Sequence, residues 1–134
     1  MRDFRRGIAS IGASGPCPPE KAWERYADPQ LWSTWSPQIR RVETNTERLR
    51  VGTTGTVHGP VGVRVDFEVT AFDEETMRWA WSVRCGPIRM DLWHGINSRP
   101  TEQGCSTWLK ARGAWPILAA YLPIARIALH RLVH

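Results

Sequence analysis

The 134-residue chain is short of cysteine: it has three, Cys17, Cys85 and Cys105, and no CxxC pair. An odd count without paired spacing predicts neither a disulfide framework nor a zinc ribbon. Lysine is scarcer still, at 2 of the 18 basic residues, a skew that GC-rich coding also produces. Long apolar runs are missing as well. The longest, over 115–125, falls short of the ~20 residues of a bilayer span and contains Pro116 and Pro123. No apolar stretch follows the basic opening MRDFRRGIAS, so a signal peptide is not expected. These absences together predict a cytoplasmic protein with reduced thiols and no transmembrane segment.

Positive charge is present but not concentrated. Net charge is +5, yet the arginines are scattered as Arg2, Arg5 and Arg6, Arg40 and Arg41, Arg48 and Arg50, then singles. No basic stripe or recognition-helix pattern gathers them, so nucleic acid is not the expected partner. There is no Ser-His-Asp order, no phosphate-binding loop and no pair of inward carboxylates, which argues against hydrolase, NTPase and glycosidase chemistry. His58, His94 and Cys85 lack metal-ligand spacing, so neither a metal nor another cofactor is expected.

Tryptophan, by contrast, is abundant, with eight residues. Each can bury ~150–250 Å², which means either a heavily packed core or an aromatic-lined cavity. The length fits one domain over 1–134. Phe4 to Ile11 reads as a first strand. Pro18-Pro19-Glu20 opens a helix with Ala22, Trp23, Tyr26 and Ala27 on one face, and Asp28-Pro29 caps a second short helix carrying Leu31, Trp32 and Trp35. Ile39 to Thr44 is a weak strand, and Leu49 to Gly55 leads into a region of period-two alternation. There Val61, Val63, Val65, Phe67 and Val69 share a face, as do Met77, Trp79, Trp81 and Val83; Ile88, Met90, Leu92, His94 and Ile96; and Cys105, Thr107, Leu109 and Ala111. Turn residues separate these strands, so a meander of hairpins is the simplest topology. The tail from Trp115 is helical, with Leu118, Tyr121, Leu122, Ala125, Leu129 and Leu132 on one face and a kink or break expected at Pro123.

This order resembles the helix-grip fold of the START-like (SRPBCC) superfamily, in its polyketide cyclase/dehydrase and lipid-transport branch. The matching stretches are Pro19-Glu20 with Trp23, DPQLWSTWSP at 28–37, Gly52 through Gly55, VTAFDEETMRWAW at 69–81, and His94 followed by Gly104 and Thr107. The resemblance covers nearly the whole chain. It implies an α+β fold in which a curved antiparallel sheet of six or seven strands wraps around a long C-terminal helix, with two short helices after the first strand. It also implies a cavity between sheet and helix for a hydrophobic small molecule: aromatic, polyketide-like or lipid. Some members of the superfamily are cyclases or dehydratases and others carriers, and no shared catalytic motif transfers to this chain.

Pairing arithmetic places the side chains. A turn centred on Gly86-Pro87 sets Trp79 opposite His94 and Trp81 opposite Leu92. A loop centred between Pro100 and Thr101 sets His94 opposite Thr107, Leu92 opposite Leu109, and Trp93 against Trp108 on the outer face. The expected cavity wall is Trp35, Val65, Phe67, Trp79, Trp81, Met90, Leu92, His94, Thr107, Leu109, Leu118, Tyr121 and Leu122. His94, the one ionisable group on this face, is the candidate general acid/base or ligand hydrogen-bonder; the competing account is a buried histidine satisfied by Thr107 or water. His58 is undecided, because Val57 competes for the inner side. Arg64, Asp66 and Arg84 read as an outer-face charge cluster. Trp93, Trp108 and an isoleucine edge of the last helix (Ile117, Ile124, Ile127) make a homodimer or protein-interaction module a further expectation.

Overall fold

A computed structural model of the chain describes residues 6–99 and 103–134. The elements run β1 (Arg6–Gly15), α1 (Pro19–Ala27), a 3₁₀ turn (Pro29–Leu31), α2 (Trp32–Trp35), β2 (Arg41–Thr44), β3 (Thr54–His58), β4 (Arg64–Asp73), β5 (Arg78–Cys85), β6 (Ile88–Ser98), β7 (Cys105–Ala114) and α3 (Trp115–Leu132). The seven strands form one antiparallel sheet in the order β1-β7-β6-β5-β4-β3-β2, so the meander closes by returning β1 to the side of β7. The sheet curves around α3, which packs along β1 and β7 and meets α2. Apolar residues of the inner face and of all three helices merge into one core.

Local chemistry accounts for the entry into this fold. Asp28 accepts a hydrogen bond from the Gln30 backbone N–H at 3.0 Å, with Pro29 at the first helical position. Two indoles then lock the short helices: Trp32 Nε1–H donates to the Tyr26 carbonyl and Trp35 Nε1–H to the Arg25 carbonyl, each at 2.8 Å.

Several expectations shift. The first strand extends to Gly15, and Phe4 lies outside the described residues. Val61 is 98% exposed and Val63 also exposed, because Pro60–Val63 is a turn rather than the start of β4. Met77 belongs to the β4–β5 turn, with φ of +55°. A bulge between Val69 and Ala71 brings Phe72, not Ala71, to the inner face, where it packs against Trp23. The helix continues through Pro123 without a break.

The β5–β6 register is the expected one, with Trp79 opposite His94 and Trp81 opposite Leu92. Between β6 and β7 the pairing is displaced by two residues: His94 faces Leu109, Leu92 faces Ala111 and Ile96 faces Thr107. The expected loop centre at Pro100–Thr101 lies outside the described residues. A two-residue displacement preserves the alternation, so the inner face stays apolar even though the partners change. It also separates Trp93 from Trp108. Trp93 pairs with Lys110, whereas Trp108 pairs with Gly95, where any Cβ would clash with the indole.

Candidate functional site

The space between sheet and α3 is a cavity of about 200 Å³ with an almost wholly apolar wall. The sheet contributes Val57, Val65, Trp79, Trp81, Val83, Met90, Leu92, His94 and Leu109. The α2 region adds Trp32, Trp35, Ser36, Gln38 and Ile39. From α3 come Tyr121, Ile124, Ala125, Ala128 and Leu129, which are the i, i+3, i+4, i+7 and i+8 positions of one helical stripe. Ala125 and Ala128 explain why there is a void. Two methyl groups face an aromatic sheet surface, and no larger side chain fills the gap between them. Ile124, 39% exposed, carries the wall out to the molecular surface.

Nine of the thirteen expected wall residues stand on this cavity: Trp35, Val65, Trp79, Trp81, Met90, Leu92, His94, Leu109 and Tyr121. The other four do not. Phe67 lies behind the wall, between Trp32 and Trp81, with ring centroids 5.4 and 5.5 Å away. Leu118 is fully buried in the core, and Leu122 packs half-buried against it. Thr107 is engaged elsewhere: its Oγ1 hydrogen-bonds Tyr26 Oη at 2.6 Å and donates to the Gly95 carbonyl at 3.0 Å. Thr107 therefore does not satisfy His94. Alternation and helical spacing place Val83, Ala125 and Leu129 on inward faces but do not by themselves assign them to the cavity they line. Gln38, in an irregular segment with no periodicity, carried no signal.

His94 sits at the centre of an aromatic cluster. Its ring stacks on Trp79 (centroids 4.8 Å apart, 13° between planes) and lies 5.0 Å from Tyr26. Trp81 Nε1–H donates to His94 Nε2 at 3.0 Å. An indole N–H can only donate, so Nε2 is the acceptor nitrogen and the imidazole proton resides on Nδ1. Burial pushes the His94 pKa down to about 3, because the charged form is desolvated with no carboxylate to offset the cost. The ring is neutral at physiological pH. On α3, burial likewise pushes the Tyr121 phenol up to about 12, so it too is neutral and able to hydrogen-bond.

His58 resolves to the outer side. Its Nε2 meets Glu43 Oε1 at 2.6 Å, and Val57 takes the inward position on the cavity. On the same outer face Asp91 accepts from Ser82 Oγ (2.7 Å) and Arg112 Nη2 (2.8 Å). Among the described residues no helix is long and apolar enough to cross a membrane. The three cysteines are free, Cys17 and Cys105 being buried and Cys85 exposed.

A curved seven-stranded sheet closed over a long C-terminal helix, with a cavity between them, defines a helix-grip protein. Residues 14–131 match the family described as polyketide cyclase / dehydrase and lipid transport, and the chain belongs to it. No functionally curated protein matches it in sequence. Among solved structures it is similar to the crystal structure of Ara h 8.0201, with a TM-score of 0.69 over 92% of this chain and 95% of that one. Sequence identity there is 12%, so the likeness is one of fold.

Proposed function

We propose that the protein binds a compact hydrophobic molecule of one or two rings in the cavity between sheet and α3. The observation that carries this reading is an apolar, tryptophan-walled void left open at the core of a small domain. Void space in a core costs stability, ~24 cal/mol per Å³, and a ligand that fills it removes that cost. Size selects among ligand classes. A dry cavity of about 150 Å³ accommodates benzene, so 200 Å³ suits one or two rings better than a long acyl chain or a four-ring polyketide, much of which would lie outside it. Burying ~200 Å² of ring surface contributes about 5 kcal/mol before the entropy of immobilisation, and hydrogen bonds from His94 and Tyr121 would set orientation.

The cyclase or dehydratase alternative asks His94 to move a proton. A neutral imidazole whose Nε2 is already occupied, and whose conjugate acid has a pKa near 3, is a weak base at neutral pH. Its chemistry favours binding. Titrating intrinsic tryptophan fluorescence with one-ring aromatics, two-ring aromatics and a long-chain fatty acid tests the proposal. Saturable change with the ring compounds and none with the fatty acid is expected. Absence of saturation with every ring compound up to its solubility limit overturns it.

A further inference from the structure

The opening stretch of α3, residues 115–125, contains no charged side chain, and much of it is exposed. At 3.6 residues per turn the exposed positions gather on one arc, opposite the buried Leu118, Ala125, Leu129 and Leu132. Pro116, Ala120, Pro123 and Ile127 run down the middle of this arc at spacings of four, three and four, the pattern by which helices pack on helices. Trp115 flanks the seam on one side, with its indole against Gly7 of β1, and Ile124 flanks it on the other.

An apolar helix stripe is ordinarily turned toward a core. This one faces outward, with Trp115 48% exposed, Ile124 39% and Ile127 54%, and with both prolines, Ala119 and Ala120 exposed between them. Together they present roughly 500 Å² of apolar side chain, about the apolar share of a standard interface that buries ~800 Å² on each partner. The middle of the face is shallow, because Ala119 and Ala120 are its smallest side chains. A helix fits such a groove, and a flat lipid surface leaves it unfilled.

We infer that two copies of the chain pair through this face, α3 antiparallel to α3, about a two-fold axis level with the midpoint between Ala120 and Pro123. Helical geometry then sets Ala120 against the partner's Pro123 and Ile127 against the partner's Pro116, and Ile124 falls beside the partner's Ala120. Each isoleucine thus meets a more compact side chain. Arg126, the first charged residue of α3, falls beside the partner's Trp115, whose indole face can take a guanidinium. The two Arg126 side chains leave their helices about 13 Å apart along the axis, beyond the ~10 Å over which charges act at 0.1 M salt.

Sedimentation velocity at graded concentrations, on the parent and on single variants, tests the pairing. The parent should pass from 15.3 kDa toward twice that mass as concentration rises. Ala120→Arg puts two guanidinium groups at the centre of the seam and should stay at 15.3 kDa throughout, with an unchanged circular dichroism spectrum because the site is exposed. Ile127→Arg gives a second version of the same test if Ala120→Arg does not fold. Ile8→Arg removes an exposed apolar side chain from the outer sheet face, where Ile8 stands opposite Arg112, and should leave association intact. Arg126→Gln should weaken the dimer about threefold to tenfold through loss of the Trp115 contact. A constant 15.3 kDa for the parent overturns the inference, and sedimentation of that monomer with anionic phospholipid vesicles would assign the face to a lipid surface instead. Association that survives both Ala120→Arg and Ile127→Arg overturns it as well. An Arg126→Gln dimer as tight as the parent's overturns the antiparallel register.

Discussion

His94 shows how far a single residue is legible from its strand. Period-two alternation places it on the inner face, and the Gly86-Pro87 turn sets it opposite Trp79, as observed. Its hydrogen-bond partner was not legible. That partner, Trp81, sits diagonally across the β5–β6 pair, whereas the expected partner, Thr107, moved two residues along and was taken by Tyr26. Diagonal contacts depend on side-chain reach, which alternation does not encode.

Burial of His94 also predicts a pH dependence. In the unfolded chain its pKa returns to the ordinary 6.5, so between about pH 6.5 and pH 3 the unfolded state binds a proton that the native state refuses. Stability is full above the unfolded value and falls as pH drops through this window, by an amount on the order of a few kcal/mol. Glu43, bonded by His58, and Glu74, bonded by Arg48, are held below the usual carboxylate range and lose stability with the same sign. A variant is needed to isolate the histidine. His94→Gln keeps an acceptor for Trp81 Nε1–H and has nothing to titrate, so its urea midpoint should fall less between pH 7 and pH 4.5 than that of the parent. Equal losses in the two proteins would show that His94 titrates as an exposed histidine.

Elements were more legible than the joints between them. Strong alternation identified β4 to β7, the Pro18-Pro19 pair marked the start of α1, and the Asp28 cap marked the 3₁₀ turn that leads into α2. The bulge in β4 and the Pro60–Val63 turn left no comparable signal, because both depend on one or two backbone angles. That turn is informative in its own right. Val61 and Gly62 have φ of +56° and +74°, and Val63 N–H donates to the Pro60 carbonyl at 3.2 Å, the pattern of a type I′ turn. A β-branched residue in the left-handed region is strained, and Val61 is too exposed to gain anything from packing. Replacing it with asparagine creates the favoured Asn-Gly pair, so Val61→Asn should stabilise by about 1 kcal/mol. Thermal unfolding checks this; a lower Tm would contradict the strain argument.

The α3 stripe carries a second prediction at this scale. If the cavity exists because Ala125 and Ala128 are small, Ala128→Leu should fill it. The variant should fold with stability within about 1 kcal/mol of the parent or higher, because an overpacking penalty is offset by the void removed. Ring-compound binding should disappear. Thermal unfolding and the fluorescence titration together decide it, and a variant that still binds fully would place the ligand elsewhere. Sequence patterning marked Ala125 and Leu129 as inward but not the void in front of them, since a void depends on what the opposite face lacks.

For the molecule as a whole, the outer sheet face is better covered than composition suggests. Trp93 lies under Lys110 Nζ and the Arg112 guanidinium, both 5.7 Å from the ring, and Trp108 lies under Arg78 at 5.6 Å. That removes the sheet from the case for a homodimer. The outer side of α3 is different: Trp115, Pro116, Ala119, Ala120, Pro123, Ile124 and Ile127 are all exposed there, with Arg126 the one charged residue among them, so this helix face is where the expected homodimer would form. Light scattering at graded concentration tests this: association through α3 predicts a mass that rises with concentration above 15.3 kDa, and a constant mass at that value would contradict it.

The eight tryptophans make the central claim directly measurable. Trp32, Trp35, Trp79 and Trp81 stand on the cavity, whereas Trp23, Trp93, Trp108 and Trp115 do not. Each indole N–H gives its own resonance, so one titration with indane reports from inside and outside at once. The account predicts that the four cavity indoles shift and saturate together while the other four stay in place. Movement confined to Trp93 and Trp108, or no movement at all up to the solubility of the ligand, would contradict it.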